Sequence, residues 1–362
     1  MADNYIVSAR KYRPQTWDTV VGQGSITDTL QNAIAQNQIA QAYLFCGPRG
    51  VGKTTCARIF AREINREFVA EGEELVFNVF ELDAASNNSV EDIRQLTEQV
   101  RIPPQQGKFK VYIIDEVHML SQAAFNAFLK TLEEPPAHAI FVLATTEKHK
   151  IIPTILSRCQ IFDFNRIQVK DIREHLAHIA QQEGVTAEPE ALQLVAVKAD
   201  GALRDALSIF DQLVAFCGKE LTYSAVAANL NVLDHETYFK VVEAALAEDI
   251  PGSLMLLHEV FNNGFDGHQF IIGLGEHLRN LMISKDAQTA ALMEVSEGVA
   301  TRYQEQSSQT GLHWLVGGME LTNTADLGYR ASKNQRLLVE LCVMQLCSLK
   351  ANAEKKKASA SA

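Results

Sequence analysis

Over roughly the first 165 residues, short apolar runs alternate with helical spacings. The runs at 43–46, 76–82, 110–114, 139–144 and 160–164 predict strands. Two of them, Lys110-Val111-Tyr112-Ile113-Ile114 and Ala139-Ile140-Phe141-Val142-Leu143-Ala144, are apolar almost throughout, as strands covered on both faces must be. Strands alternating with helices predict a parallel α/β sheet. From about residue 168 only helical spacing remains. Ile172, Leu176 and Ile179 predict a helix over 171–183, ended by Gly184. Helices are also expected over 188–199 and 203–216, giving a compact unit of three. A further helical region runs from 224 to 350, with turns expected at Pro251-Gly252, Asn262-Asn263-Gly264 and Gly317-Gly318. The last ten residues, from Ala353, are low in complexity and are expected to form a disordered tail or the start of a linker. The expected boundaries are 1–166, 167–223, 224–350 and a tail at 351–362.

Composition changes this picture little. At 362 residues, 47% hydrophobic and 21% charged, the chain suits two or three globular domains, each with its own core. No apolar run is long enough to span a membrane. The N-terminus lacks the basic-then-apolar pattern of a signal peptide. Six scattered cysteines, none in a C-x-x-C pair, argue against a disulfide framework and for a reducing cytoplasm. A net charge of −11 argues against a whole surface that coats nucleic acid, and leaves room for a local basic groove.

The most specific chemistry lies in Gly47-Pro48-Arg49-Gly50-Val51-Gly52-Lys53-Thr54-Thr55. The stretch fits G-x-x-x-x-G-K-[ST], with a strand expected before it and a helix after it. Gly50 and Gly52 let backbone N–H groups turn inward to cradle phosphate oxygens. Lys53 would reach the β- and γ-phosphates of a nucleoside triphosphate, and the Thr54 hydroxyl would ligate Mg²⁺. A glycine-rich turn that matches by chance is the competing reading, and the strand–loop–helix frame weakens it.

Val111-Tyr112-Ile113-Ile114-Asp115-Glu116 reads as a strand running into two acids. Asp115 would hold Mg²⁺ opposite Thr54, and Glu116 would polarise the attacking water. Solvated acids at a strand end are the alternative. Thr145, ending the next strand, could orient that water, or could belong to an ordinary turn. Arg158, in Ser157-Arg158-Cys159, could reach a neighbouring subunit's nucleotide if its strand lies at a sheet edge. From the residues alone, a surface ion pair is the favoured reading for it. Arg204, opening a helix, could point back to the phosphates or pair with a nearby acid. Ser89 and Asp92 form a capping box, and the helix they open could meet a DNA phosphate or be an ordinary surface helix.

Together these motifs resemble the gamma/tau subunit family of bacterial DNA polymerase III, the motor of the sliding-clamp loader. Arg10-Lys11-Tyr12-Arg13-Pro14-Gln15-Thr16-Trp17, Val20-Val21-Gly22-Gln23, Glu81-Leu82-Asp83-Ala84-Ala85-Ser86-Asn87, Leu129-Lys130-Thr131-Leu132-Glu133-Glu134-Pro135-Pro136 and Thr154-Ile155-Leu156-Ser157-Arg158-Cys159 carry the likeness, which covers about residues 5 to 350. It implies an α/β P-loop (AAA-type) ATPase domain with a parallel sheet, then an all-α three-helix lid and an all-α collar. It further implies that Tyr12, Arg13 and Val21 line an adenine pocket. Thr145 would be the first sensor, Arg204 the second and Arg158 a trans-acting finger. The implied partners are the delta and delta-prime subunits in a pentameric ring, the sliding clamp, primer–template DNA and, through other subunits, single-stranded-DNA-binding protein. The implied location is the cytoplasm, at the nucleoid.

Most members carry a four-cysteine zinc module after the P-loop helix. Here 65–75 contains no cysteine, so no zinc is expected. The family belongs to a polymerase holoenzyme, but no segment resembles a nucleotidyl-transfer site. Two rivals are a different AAA-type motor, of Holliday-junction or helicase type, and a subunit that binds nucleotide without hydrolysing it.

Overall fold

A computed structural model describes residues 6–66, 78–105, 107–230, 233–290, 293, 295 and 297–349. The chain divides into two compact units, Met1–Glu220 and Leu221–Ala362. The first begins with α1 (Ser8–Lys11) and α2 (Gly24–Ala35). It continues through β1 (Ala42–Cys46), α3 (Lys53–Glu63), β2 (Val79–Asp83), α4 (Val90–Val100), β3 (Lys110–Asp115), α5 (Gln122–Glu133), β4 (Ala139–Thr145), α6 (Pro153–Leu156) and β5 (Gln160–Asp163). Three further helices follow: α7 (Val169–Glu183), α8 (Pro189–Lys198) and α9 (Leu203–Cys217).

The five strands form one sheet in the order β2-β3-β4-β1-β5, and every pairing is parallel. Alternation along each strand splits the core in two. Tyr112 and Ile114 of β3 join Phe141 and Leu143 of β4 against Phe125 and Phe128 of α5. Val111 and Ile113 join Ile140, Val142, Tyr43 and Phe45 against Ile59 and Phe60 of α3. Both faces are thus covered, which explains the unbroken apolar runs. The expected second strand starts later than its apolar run; positions 76 and 77 lie outside the described residues, as do 67–75 and the expected tail.

Local signals set the helix ends. Ser89 accepts a hydrogen bond from the Asp92 N–H and caps α4, and Gly184 ends α7 at φ 64. The second unit contains α10 (Tyr223–Asn229), α11 (His235–Leu246), α12 (Ile250–Asn262), α13 (Gly267–Ile283), α14 (Ala287–Ala290), α15 (Glu297–Gln309), α16 (Leu312–Tyr329) and α17 (Gln335–Cys347). Asn262-Asn263-Gly264 closes α12 as expected, with Gly264 at φ 82. The other two expected turns are helical. Pro251 sits in the first turn of α12, where its missing N–H is not needed, and the Asp249 carboxylate caps the Gly252 N–H at 2.9 Å. Gly317-Gly318 lies inside α16. A Cβ on Gly318 would meet Leu278 and Leu346 at 2.9 Å, so glycine there serves close helix packing, not a turn.

One packing constraint bears on the loop after β1. Gly47 holds φ 146, and a Cβ there would fall on the Phe164 carbonyl oxygen. That obstacle is backbone and cannot swing aside. Gly47→Ala is expected to destabilise the first unit by about 1–3 kcal/mol, read as a lower denaturant midpoint. An unchanged midpoint would contradict the packing described.

The second unit buries His277 among aromatic rings at 2% exposure. Gln306 donates through Nε2 to the Phe239 carbonyl at 2.8 Å, which turns its Oε1 toward His277 Nε2 at 3.1 Å. The Tyr303 hydroxyl, 2.9 Å from Nδ1, then donates to it. Burial pushes the imidazole down to about 3. An unfolded histidine titrates near ~6.5, so the stabilisation is whole above that pH and is lost as pH falls toward the folded value. The expected slope is up to ~1.4 kcal/mol per pH unit. Comparing pH-dependent denaturant midpoints of the wild type and His277→Leu checks this: the variant should lack one proton's worth of the acid slope, and identical slopes would refute it.

Candidate nucleotide site

The parallel order β3-β4-β1 brings the carboxyl ends of three strands together, and the P-loop, Asp115, Glu116 and Thr145 lie along that edge. The P-loop leaves β1, with Gly50 at φ 77 and Gly52 at φ 103, and Lys53 opens α3. These left-handed angles suit glycine and turn the backbone N–H groups into the loop. The loop opens on a cleft of about 410 Å³ lined by Arg49, Gly50, Val51, Gly52, Lys53, Thr54 and Thr55. Tyr12, Arg13 and Val21 close it from the N-terminal segment, Asp115 and Glu116 from the end of β3, and Arg204 from the start of α9. Gly47 and Pro48 lie behind the lining and act through the loop's shape.

Lys53 is buried, and its ammonium donates to the Gly47 and Pro48 carbonyls at 2.8 Å each. Burial lowers its pKa, while Glu116 and Asp115 oppose that shift. The Thr54 hydroxyl donates to Asp115 Oδ2 at 2.8 Å. A hydroxyl and a carboxylate set face to face are hard oxygen donors of the kind Mg²⁺ takes, so the residues present fit such an ion. The cleft is rich in cations. Among the described residues no carboxylate pairs with Arg13, Arg49 or Arg204 within 4.0 Å. Burial depresses the Arg13 pKa, and neighbouring Arg58 and Arg204 add to the effect. Such a surplus of fixed positive charge suits a polyanion.

Glu116 adopts φ 48, a left-handed conformation uncommon for a side-chain-bearing residue and found disproportionately at functional sites. Its carboxylate accepts from the Thr146 hydroxyl at 3.0 Å. Thr145 is fully buried and lines no part of the cleft. Its oxygen accepts the Glu147 N–H at 3.0 Å and lies 3.0 Å from His118 Nδ1. His118 Nε2 is 3.0 Å from the Glu147 carboxylate, which can only accept. In the neutral ring Nδ1 is therefore the acceptor, and Thr145 donates to it. His118, with 7% of its side chain exposed, thus links Thr145 to Glu147. Sequence reasoning missed His118 and Thr146; their position directly after Asp115-Glu116 and Thr145 was the available signal.

Arg204 is fixed by its backbone, whose N–H donates to the Gly50 carbonyl at 3.3 Å. Arg158 stands outside this arrangement, between α6 and edge strand β5, and lines no part of the cleft. The N-terminal segment is tied to the helices that follow the sheet. The Tyr12 hydroxyl donates to Glu183 at 2.5 Å, Lys11 pairs with the same carboxylate at 2.6 Å, and Ser8 bonds Asp211. These two donors hold Glu183 below the usual carboxylate range. Ile167, Leu203 and Leu207 complete the cleft's apolar wall and were not foreseen.

Three family profiles tile the chain. They are "DNA polymerase III, delta subunit" over residues 22–168, "DNA polymerase III clamp loader subunit, ATPase lid domain" over 171–219, and "DNA polymerase III subunits gamma and tau domain III" over 221–361. The chain is 37% identical to DNA polymerase III subunit tau of Bacillus subtilis, over 95% of its own length and 63% of that protein. It is 44% identical to subunit tau of Salmonella typhimurium, over 74% of its own length and 44% of that protein. Against DNA polymerase III subunit gamma of Buchnera aphidicola it is 35% identical, over 96% of its own length and 98% of that protein. The chain thus spans under two thirds of the two tau subunits and nearly all of the gamma subunit, and it belongs to the gamma/tau subunit family of DNA polymerase III.

Proposed function

We propose that this chain is an ATP-hydrolysing motor subunit of a clamp loader, which places a sliding clamp on primed DNA. The observation that carries the proposal is the meeting of Lys53, Thr54, Asp115 and Glu116 in one cleft, with the Thr54 and Asp115 oxygens 2.8 Å apart. In this reading Gly47 to Thr55 form the phosphate cradle. The Lys53 ammonium exchanges its two carbonyl partners for phosphate oxygens. Tyr12, Arg13 and Val21 hold the base, and Thr54 and Asp115 hold Mg²⁺. The ion, once bound, would neutralise charge on the phosphate oxygens.

Glu116 orients the attacking water and draws on its proton. Thr146 steadies the carboxylate through its hydroxyl. Arg204 reports the phosphates to the lid, since its backbone already rests on the P-loop. Arg158, beside the edge strand, serves a neighbouring subunit's nucleotide. Residues 1–166 are read as the ATPase domain, 167–223 as the lid and 224–350 as the collar that assembles the ring with delta-type subunits. Primer–template DNA and the clamp then trigger hydrolysis, and the closed clamp is released. With an acidic chain overall, the DNA contact is narrow and localised.

Glu116→Gln keeps the shape of the side chain and removes the base. Hydrolysis in the reconstituted complex is expected to fall by roughly 10²-fold or more, with nucleotide binding retained. Steady-state phosphate release and equilibrium binding of a fluorescent ATP analogue check both halves. Unchanged turnover would overturn the catalytic reading.

A further inference from the structure

The reading of Arg158 leaves open how a long, half-exposed side chain at the sheet edge is held ready for a partner. A guanidinium carries five N–H donors. Arg158 Nη1 donates to the Thr154 carbonyl at 2.6 Å and to the Ser157 hydroxyl at 3.1 Å, and Nη2 donates to Glu133 Oε1 at 2.5 Å. Three donors are therefore held by the chain's own atoms, and two remain for another group. Two of the three holds are local to the turn that carries Arg158. Glu133 is different: it ends α5, a helix fixed in the core by Phe125, Phe128 and Leu132. It therefore ties the guanidinium to a rigid element and not to the loop alone.

We infer that Glu133 is the positioning residue of Arg158. It holds the guanidinium where the two remaining donors can meet the terminal phosphate of a neighbouring subunit's nucleotide. This inference rests on the proposed trans role of Arg158. An exposed ion pair of this kind adds little to stability: about 0–1 kcal/mol is typical, and the two side chains here are 31% and 48% exposed. Its effect lies in preorganisation. An arginine already fixed in one geometry loses little freedom when it engages phosphate, whereas a free one must be ordered in the transition state.

The test is ATP hydrolysis by the chain reconstituted with its partner clamp-loader subunits, sliding clamp and primed DNA, comparing wild type, Glu133→Ala, Glu133→Gln, Arg158→Ala and the Glu133→Ala/Arg158→Ala double variant. Glu133→Ala is expected to lower kcat about tenfold at unchanged KM, less than the ~10²-fold that a 1 Å misplacement can cost, because the two local holds on Arg158 remain. Glu133→Gln, which keeps an acceptor, should recover most of the rate. The double variant should be no slower than Arg158→Ala. ATP affinity of the isolated Glu133→Ala chain should match wild type, since its own cleft is untouched. A rate for Glu133→Ala equal to or above wild type, or a further loss in the double variant, overturns the inference while leaving Arg158 in its proposed role. If Arg158→Ala itself hydrolyses like wild type, the trans role and the inference fall together.

Discussion

The site depends on one constraint: the strands carrying its pieces are parallel and adjacent. Because β3, β4 and β1 run the same way and lie side by side, their carboxyl ends open at one edge of the sheet. That edge is where a doubly covered sheet leaves a crevice for ligand. The P-loop follows β1, Asp115 and Glu116 end β3, and Thr145 ends β4 opposite Cys46. Asp115 and Glu116, distant from Lys53 in sequence, thus line the same cleft. A one-residue slip in either pairing would turn Asp115 or Thr145 to the other face of the sheet. The fully buried strand residues on both faces fix that register.

Electrostatics then separates the site from the rest of the molecule. The chain is acidic overall, yet the cleft gathers Arg13, Arg49, Lys53 and Arg204 against Asp83, Asp115 and Glu116. Net charge governs solubility and long-range steering, while the local cluster governs what enters the cleft. The arrangement is also poised for exchange. Lys53 bonds backbone carbonyls, and Thr54 bonds Asp115. Each of these contacts can be traded for an oxygen of phosphate or a ligand position on a cation, without leaving a buried charge unpaired.

Much of this was legible in the sequence because the signals are local. The apolar runs marked the five strands, and the spacing of Gly50, Gly52 and Lys53 marked the loop that lines the cleft. What sequence could not reach arises from contacts distant along the chain. His118 acquires its place only because β4 lies beside β3, which brings Thr145 and Glu147 to its two ring nitrogens. Thr145 looked like a group facing the nucleotide, yet its hydroxyl is turned inward to His118 and covered. Pro251-Gly252 and Gly317-Gly318 carry turn chemistry, but tertiary packing overrides it. Pro251 starts a helix capped by Asp249, and Gly318 lets α16 press against α13 and α17. The pairing of Arg158 with Glu133 joins two motifs 25 residues apart and is visible only once α5 and α6 are placed.

The central claim is that this cleft drives a clamp-loading cycle and does not hydrolyse ATP idly. The most direct measurement is steady-state ATP hydrolysis by the wild-type chain reconstituted with its partner subunits, with sliding clamp and primed DNA added separately and together. The account predicts strong stimulation when clamp and primed DNA are both present, well beyond either alone. Robust hydrolysis indifferent to both would contradict it and would assign the same cleft to a different motor.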